Sequence, residues 1–447
     1  MTDDAPSTES TPVGGAVDDP APPTGDWVLA AYAARMRRAR HRYFATLAVV
    51  VAAVFAVVSI AWSRGEIANT TLTTVPSAPP SVTLRAPSTT LRSAWTSTDR
   101  TAMGTPYWGG TVVTFDQHTV RGRNAVTGAQ TWSYRRNDRT VCQALQIRGV
   151  TVAIYQLHGN CDEVTALSTG TGQRQWTRTL DENGQPIFGR PTYQATQYTF
   201  LVITPLVIYA IDPSSGYDRW VFGQQHCTIN SAVIGSTGAL ISQSCDHPPC
   251  SGLTYCRNGP QLLLRDPSAG YNNDEKHRAN PDQILWNVAN STLVPASADQ
   301  LVSAIDPASR RLVVLNADKG TVQTTRTLTP APSAVDAVRA SPTVNAEILW
   351  VGGVTYAIRA SDSVVLWAGR TLSPPTVTAT DAAAVVGLPD LTQAVLAAPT
   401  ATGLTLLDTR SGRPSRDFAV SPPPPGSTVY PYGTGFLVAG PATTVYR

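Results

Sequence analysis

Lysine is nearly absent from this chain, and charge as a whole is sparse. Lys276 and Lys319 are the only lysines, and charged side chains make up 15% of the 447 residues. The 34 basic and 31 acidic residues leave a formal net charge of +3. Such a balance implies no strongly basic face, so we expect no nucleic acid among the partners.

Groups that carry out catalysis are also scarce. The sequence holds six histidines and six cysteines, no two cysteines are adjacent, and no Ser/His/Asp or Cys/His arrangement stands out. The acidic clusters at Asp181–Glu182 and Asn273–Glu275 fit a hairpin turn and a loop insertion. We therefore predict that the chain is not an enzyme, and we assign it no catalytic residue and no metal ligand.

A long run that is both uncharged and predominantly apolar lies near the N-terminus. Phe44 to Trp62 is 19 residues without a charge, which is enough to span a bilayer as a helix. Arg64 is the main cation after this run, whereas several arginines precede it, and this bias places the N-terminus in the cytoplasm. The arginines that set this topology are Arg35, Arg37, Arg38, Arg40 and Arg42.

A cleaved signal peptide is the competing interpretation of this run. Against it, 43 residues precede the apolar core, Ser63–Glu66 is a poor cleavage site, and no cysteine follows for lipid attachment. We therefore predict an uncleaved signal-anchor, in a single-pass protein of the cell membrane whose C-terminal part is extracytoplasmic. The basic segment before the run is expected to contact anionic lipid head groups.

Composition divides the chain into five segments. We expect disorder where there is little to bury, and an extended spacer where Ser, Thr and Pro dominate, which would hold the following domain off the membrane. The predicted segments are a disordered cytoplasmic tail (1–25), a basic juxtamembrane helix (26–43), a transmembrane helix (44–62), a Ser/Thr/Pro-rich linker (63–93) and an extracytoplasmic domain (94–447).

A nine-residue corner recurs through residues 94–447. In its clearest copy Asp212 starts a turn, Gly216 supplies the φ > 0 that the turn needs, and Trp220 begins the next strand with a large face to bury. The copies are Asn124/Gly128/Trp132, Ser168/Gly172/Trp176, Asp212/Gly216/Trp220, Asp266/Gly270 (with Trp286 displaced by an insertion), Asn316/Gly320/Thr324, Arg359/Ser363/Trp367 and Asp408/Gly412/Arg416.

The spacing of these corners predicts an all-β propeller. Successive corner positions are 44, 44, 54, 50, 43 and 49 residues apart, and a period near 40–45 residues of four short strands is typical of a propeller blade. Trp95 lacks a preceding corner, and residues 435–440 and 442–446 resemble the first two strands of a repeat. These ends are expected to complete one split blade, giving eight blades, with seven as the alternative. The tryptophans predicted to pack between blades are Trp95, Trp132, Trp176, Trp220, Trp286 and Trp367.

The cysteines all lie between positions 142 and 256, beyond the hydrophobic run. The repeat frame predicts three disulfides, Cys142–Cys161, Cys227–Cys245 and Cys250–Cys256. The first two pairs lie in comparable places of blades two apart, so each is expected to bridge neighbouring strands. Disulfides fit an oxidising exterior. The alternative is a metal site of cysteine with His226 or His247, but the tight Cys-x-x-Cys pairs of zinc sites are missing.

The corner at Asp212–Trp220 resembles the repeat of the PQQ-like β-propeller family, in which a tryptophan follows the turn glycine by four residues. The resemblance covers residues 94–447 and is weakest at Gly320 and Gly412, where the tryptophan is missing. It implies eight blades, because the family is typically eight-bladed. The family includes quinoprotein dehydrogenases and non-enzymatic propellers such as the lipoprotein of the outer-membrane β-barrel assembly machinery.

The resemblance does not carry over a cofactor site. Many quinoprotein enzymes have adjacent cysteines beside the cofactor and acidic and amide side chains around Ca²⁺, and neither set can be placed on this sequence. We therefore expect no PQQ and no other cofactor. The predicted function is a non-enzymatic scaffold or protein-interaction module in the bacterial cell envelope, with a protein partner at a blade-loop face that includes the insertion at 246–285. The alternative is a quinone- or small-ligand-binding propeller, such as a divergent quinoprotein dehydrogenase or sensor.

Overall fold

The computed structural model falls into two compact units, residues 1–69 and 70–447. The residues that it describes are 35–36, 43–44, 46–55, 66–83, 88, 90–157, 159–182, 185–186, 191–196, 199–224, 226–246, 258–266, 284–335, 338–342, 346–377, 395–400, 403–408, 411–424 and 426–447.

The first unit contains helical segments. Residues 46–55 are helical, and a short helix covers Glu66–Asn69. Within the part of the chain that is described, no helix is both long and apolar enough to cross a membrane. The transmembrane helix at 44–62 stays a prediction, because residues 45 and 56–62 lie outside the described ranges. The predicted tail lies outside them too, as do all of the topology arginines except Arg35.

The second unit is an eight-bladed β-propeller, which confirms eight blades over seven. Each blade is an antiparallel sheet of four strands, named A to D from the central channel outwards. Blade 1 consists of Arg100–Thr101, Thr111–Phe115, Thr119–Asn124 and Gln130–Arg136; blade 2 of Val141–Ile147, Val150–Leu157, Asn160–Ser168 and Arg174–Thr179; blade 3 of Thr192–Ala195, Phe200–Ile203, Ile208–Ile211 and Asp218–Phe222; and blade 4 of Cys227–Ile234, Ala239–Cys245, Gly259–Arg265 and Ile284–Ala289.

The remaining blades follow the same order around the ring. Blade 5 consists of Val294–Ala298, Val302–Asp306, Arg311–Leu315 and Val322–Thr327; blade 6 of Val338–Pro342, Ala346–Val351, Val354–Arg359 and Val365–Arg370; blade 7 of Thr376–Val377, Val395–Thr400, Gly403–Asp408 and Pro414–Phe418; and blade 8 of Thr428–Tyr432, Gly435–Ala439, Thr443–Tyr446 and Ser93–Ser97.

Blade 8 is the split blade that closes the ring. Its outer strand comes from the N-terminal side of the domain and pairs Trp95 with Val445, while the amides of Arg92 and Arg447 donate to each other's carbonyls. The C-terminal strands are the second and third of the blade, not the first and second as predicted. The reason is that Thr428–Tyr432 supplies the innermost strand. This closure leaves no unpaired blade edge between the chain ends.

Several of the B and C strands are buried along their whole length because neighbouring blades pack on both of their faces. Thr111–Phe115 is buried at every residue, as is Phe200–Ile203. One cluster joins Ile154 and Val164 of blade 2 to Phe200 and Val202 of blade 3. Strands covered on both faces show continuous apolar runs, which is why alternation is weak in this sequence.

Short additional strands lie outside the eight regular blades. Met103–Gly104 leaves blade 1 and pairs in parallel with the innermost strand of blade 2, and Tyr107–Trp108 returns to blade 1. A small hairpin joins Asp181–Glu182 to Gln185–Pro186. Thr70–Thr73 adds a fifth strand outside blade 1, so this part of the predicted linker belongs to the ring and is not a spacer.

Two of the predicted disulfides are present. Cys227–Cys245 joins the adjacent A and B strands of blade 4, where the two residues are directly paired. Cys142–Cys161 joins strands A and C of blade 2, so it does not bridge neighbouring strands as expected. It reaches across strand B where that strand is bulged at Tyr155. The third predicted pair, Cys250–Cys256, lies outside the described residues.

Candidate functional site

The recurring corner is a C–D turn built on one Asx side chain. Asp212 Oδ1 accepts hydrogen bonds from the amides of Ser214 (2.8 Å) and Ser215 (3.1 Å), and its carbonyl accepts from Gly216 N (2.9 Å). Burial alone raises the pKa of Asp212, but the hydrogen bonds from Ser214, Ser215 and Arg219 outweigh it and hold the pKa below its usual value. The carboxylate therefore stays ionised and keeps the turn closed.

Five corners, at Gly128, Gly172, Gly216, Gly320 and Gly412, receive a tryptophan from the preceding blade. The Trp132 indole nitrogen donates to the Thr169 carbonyl (2.7 Å), and a Cβ on Gly172 would stand 2.6 Å from Cγ of that indole. Gly172 also has φ +75°. The glycine is thus required both by the turn and by the tryptophan above it. The equivalent indole donors and acceptors are Trp95 to Ala125 (3.1 Å), Trp176 to Pro213 (3.0 Å) and Trp286 to Ala317 (2.7 Å).

At two of the contacts between neighbouring blades, an arginine side chain takes part. In blade 5, Thr324 replaces the tryptophan, and Arg326 two residues later donates to the carbonyls of Ser363 (3.0 Å) and Asp362 (2.8 Å) in the next corner. The guanidinium of Arg265 lies 4.6 Å from the centroid of the Trp220 ring, a cation–π contact. Burial lowers the pKa of Arg265 to about 10. The spacing of the repeats in the sequence did not predict the contacts of Arg326 or Arg265.

An ion-pair cluster lies where blade 8 leads into blade 1. Asp99 Oδ2 accepts from Arg121 (3.1 Å) and Arg123 (2.7 Å), and Arg121 also contacts Asp116 (2.6 Å). Asp99, Arg121 and Arg123 are largely shielded from solvent, which favours their pairing, whereas the Asp116 side chain is 41% exposed. The cluster holds the seam between the two ends of the ring and is not an open site.

The A strands enclose a central channel of about 590 Å³. Its wall is mixed, with small residues, polar groups and three aromatic side chains, Tyr193, Trp350 and Tyr430. The Tyr430 hydroxyl is already used, because it donates to the Gly104 carbonyl (2.8 Å). Among the described residues, the Tyr193 hydroxyl and the Trp350 indole nitrogen are buried without a hydrogen-bond partner. These two atoms are buried within the channel wall and are not exposed to the channel itself.

One buried carboxyl lies just behind the channel wall. Glu347 is 1% exposed, and its Oε1 accepts a hydrogen bond from the Ser297 hydroxyl (2.7 Å). Burial raises the pKa of Glu347 to about 7, with the Ser297 hydrogen bond opposing part of the shift and Asp299 adding to it. Within the described ranges, no group of three His, Cys, Asp or Glu side chains is placed to hold a metal ion.

The face that carries the C–D turns, here called the turn face, exposes apolar side chains on four consecutive blades. They lie near the start of the outer strands of blades 3, 4, 5 and 6. We call this set the apolar arc, and it consists of Tyr217 (60% exposed), Leu285 (46%), Val322 (59%) and Val364 (38%). Residues 267–283 of the predicted insertion come directly before this arc in blade 4 and lie outside the described residues, as do residues 247–257.

Comparisons with known proteins agree with the repeat. Residues 82–233 match the family model described as outer membrane protein assembly factor BamB. BamB from Moraxella catarrhalis is similar at 15% identity and a TM-score of 0.44, over 84% of this chain and 100% of that one. A quinohemoprotein alcohol dehydrogenase from Comamonas testosteroni is similar at 11% identity and a TM-score of 0.48, over 80% and 76%. No curated protein matches.

The identities and TM-scores of these two solved structures are low, so no property of theirs is assigned to this chain. The family match is the specific finding, and it covers the corners at Gly128, Gly172 and Gly216, where the tryptophan and glycine positions follow the pattern. It agrees with the predicted resemblance of these repeats to the PQQ-like β-propeller family.

Proposed function

We propose that the chain is a membrane-anchored, extracytoplasmic propeller that acts as a non-enzymatic protein-interaction scaffold in the bacterial cell envelope. The matched family model is described as an outer membrane assembly factor, which supports an envelope role. Anchoring is supported by the 19-residue uncharged run and by the exposed apolar side chains on the helix at 46–55, such as Val49 (68%) and Phe55 (69%).

The apolar arc is the observation that carries this proposal. Single exposed apolar residues are ordinary, but here four successive blades each present one at a similar place on one face. A partner that lies along this sector of the turn face would bury Tyr217, Leu285, Val322 and Val364 together.

Affinity purification of the full chain from its native membranes in mild detergent tests the scaffold. Quantitative mass spectrometry of the eluate should find an envelope protein at near-stoichiometric amounts. The double variant V322E/V364E should reduce its recovery at least ten-fold, because two carboxylates would be desolvated in the interface.

Leu206 provides the matched control. It is 46% exposed, as Leu285 is, but it lies in the B–C loop of blade 3 on the opposite face. L206E should leave recovery of the partner unchanged. Equal recovery from all three proteins would reject the arc as the binding surface, and the ring's folding is checked in each by its unfolding temperature.

Ligand binding in the channel is a second candidate, favoured by its volume of about 590 Å³ and by the aromatic side chains of Tyr193, Trp350 and Tyr430 in its wall. A flat ring such as a quinone would stack on such a side chain. Titration with a water-soluble benzoquinone, followed by tryptophan fluorescence, tests it. Y193A removes one of these rings and should weaken binding about ten-fold. Absence of any saturable quenching would reject this function.

A further inference from the structure

The Ser/Thr/Pro-rich segment before the propeller follows the ring surface instead of leaving it. We define the strap as the described residues 70–83, 88 and 90–92. We propose that the strap is a docked tether that joins the anchor to the outer edge of blade 1 and leaves residues 63–69 as the only spacer. This inference deepens the proposed function, because it rests on the proposed membrane anchor.

The strap begins as a β-strand on blade 1. Thr70 pairs with Arg136 and Leu72 with Tyr134, in antiparallel register with the outer strand of that blade. The amide of Val75 then donates to the carbonyl of Thr171 in blade 2 (3.1 Å). Backbone hydrogen bonds of this kind hold an extended peptide at a sheet edge independently of its side chains.

Glycines form the surface beneath the middle of the strap. A Cβ on Gly170 would stand 2.6 Å from the Cβ of Ala78, and a Cβ on Gly110 would meet the carbonyl oxygens of Pro79 and Pro80. The close approach is possible only because these positions have no side chain. The prolines restrict the strap to extended conformations before it docks, which lowers the entropy cost of binding.

The strap ends in a pocket between blades 1 and 8. Val82 packs against a buried cluster that includes Val112 of blade 1 and Leu437 of blade 8. The amide of Ser88 donates to the carbonyl of Thr434 (2.9 Å), and Arg92 pairs with the C-terminal residue. Contacts therefore follow the strap from blade 2 across blade 1 to blade 8, and the strap also covers the seam where the ring closes.

Docking of the strap shortens the length of chain that can separate the propeller from the proposed membrane anchor. If residues 63–93 were an extended Pro-rich spacer, their 31 residues would span about 95 Å. With the strap docked, the seven residues 63–69 span at most about 25 Å. This length is the upper limit on the tether between the proposed anchor and the strap. The apolar arc on blades 3 to 6 lies clear of the strap, which contacts blades 1, 2 and 8.

Variants of the full chain in nanodiscs test this inference. G110A and G170A place a methyl group against strap atoms only, and neither glycine has a left-handed φ. G369A is the matched control, since its Cβ would meet nothing within 4 Å. In the unaltered protein, the amides of Thr71 to Val75 should be protected from hydrogen exchange. The G110A/G170A double variant should lose that protection at least ten-fold, and G369A should keep it.

The distance to the bilayer is the second measurement. Energy transfer from a dye on L206C to an acceptor in the lipid should show a longer distance in G110A/G170A than in G369A. An unprotected strap in the unaltered protein, or an unchanged distance after its release, would overturn the inference. A chain that does not enter nanodiscs but keeps its strap protected would overturn the anchor and not the docking.

Discussion

Trp132 and Gly172 form the contact that joins blade 1 to blade 2. A Cβ on Gly172 would stand 2.6 Å from Cγ of the indole, while the indole nitrogen donates to Thr169 of the same turn. Because the turn holds Gly172 at φ +75°, any other residue there would be strained as well as crowded. The same pair recurs at Trp95 and Gly128, so the repeat is a chain of such contacts.

We predict that G172A lowers the free energy of unfolding by about 2–4 kcal/mol, from backbone strain and displacement of Trp132. Urea unfolding followed by tryptophan fluorescence measures the loss. G353A separates the two effects, because Gly353 has φ +84° but a Cβ there would meet nothing within 4 Å. If G353A costs as much as G172A, the tryptophan contact contributes nothing.

Arg326 is expected to join blade 5 to the corner of blade 6, as a tryptophan joins the neighbouring blades at other corners. Its Nε and Nη2 donate to two adjacent carbonyls of the next corner, and a lysine has no planar fork to reach both. R326K should lower the free energy of unfolding by about 1 kcal/mol, the net value of one lost hydrogen bond. R413K, which alters an exposed arginine in blade 7, should change it by less than about 0.5 kcal/mol.

The propeller was predictable because its corners obey local rules. A turn that needs φ > 0 selects Gly128, Gly172 and Gly216, and a regular interval between such turns fixes the blade length. Trp95 and the C-terminal strands predicted the split blade for the same reason. Ser363 shows the limit of the rule, since it holds φ 58° without being glycine.

The strap was not predictable from its own residues. Pro79 and Pro80 indicate an extended linker by composition, but what fixes them is the absence of side chains at Gly110 and Gly170, more than 25 residues further along the chain. Arg326 was missed for a similar reason, because its partner Ser363 lies 37 residues away. Contacts between distant segments leave no local pattern.

The two described disulfides close loops of similar size, with separations of 19 and 18 residues. Loops near this length restrict the unfolded chain by about 3 kcal/mol, so C142A/C161A and C227A/C245A should each lose about that amount. Urea unfolding in oxidising buffer measures both. A loss well below 1 kcal/mol for either pair would show that the unfolded chain gains little freedom when that bond is removed.

Glu347 should make the stability of the ring depend on pH. Its pKa rises from 4.5 to about 7 on folding, so the folded state holds the proton more tightly. The contribution of Glu347 to the free energy of unfolding is fully present below pH 4.5 and is lost as the pH rises through 7. A shift of this size corresponds to about 3 kcal/mol. E347Q keeps an acceptor for Ser297 and removes the charge, so it should be more stable than the unaltered protein above pH 7.

The pH dependence separates this effect from a general change in charge. From pH 4.5 to 8, the difference in unfolding free energy between E347Q and the unaltered protein should grow by about 3 kcal/mol in favour of the variant. D318N removes an exposed carboxylate from a turn of blade 5 and measures what loss of charge does by itself. A constant difference across this range would mean that Glu347 does not change its protonation between the folded and unfolded states. The carboxyl would then have to be ionised behind the channel wall at pH 5, where Oε2 has no partner among the described residues.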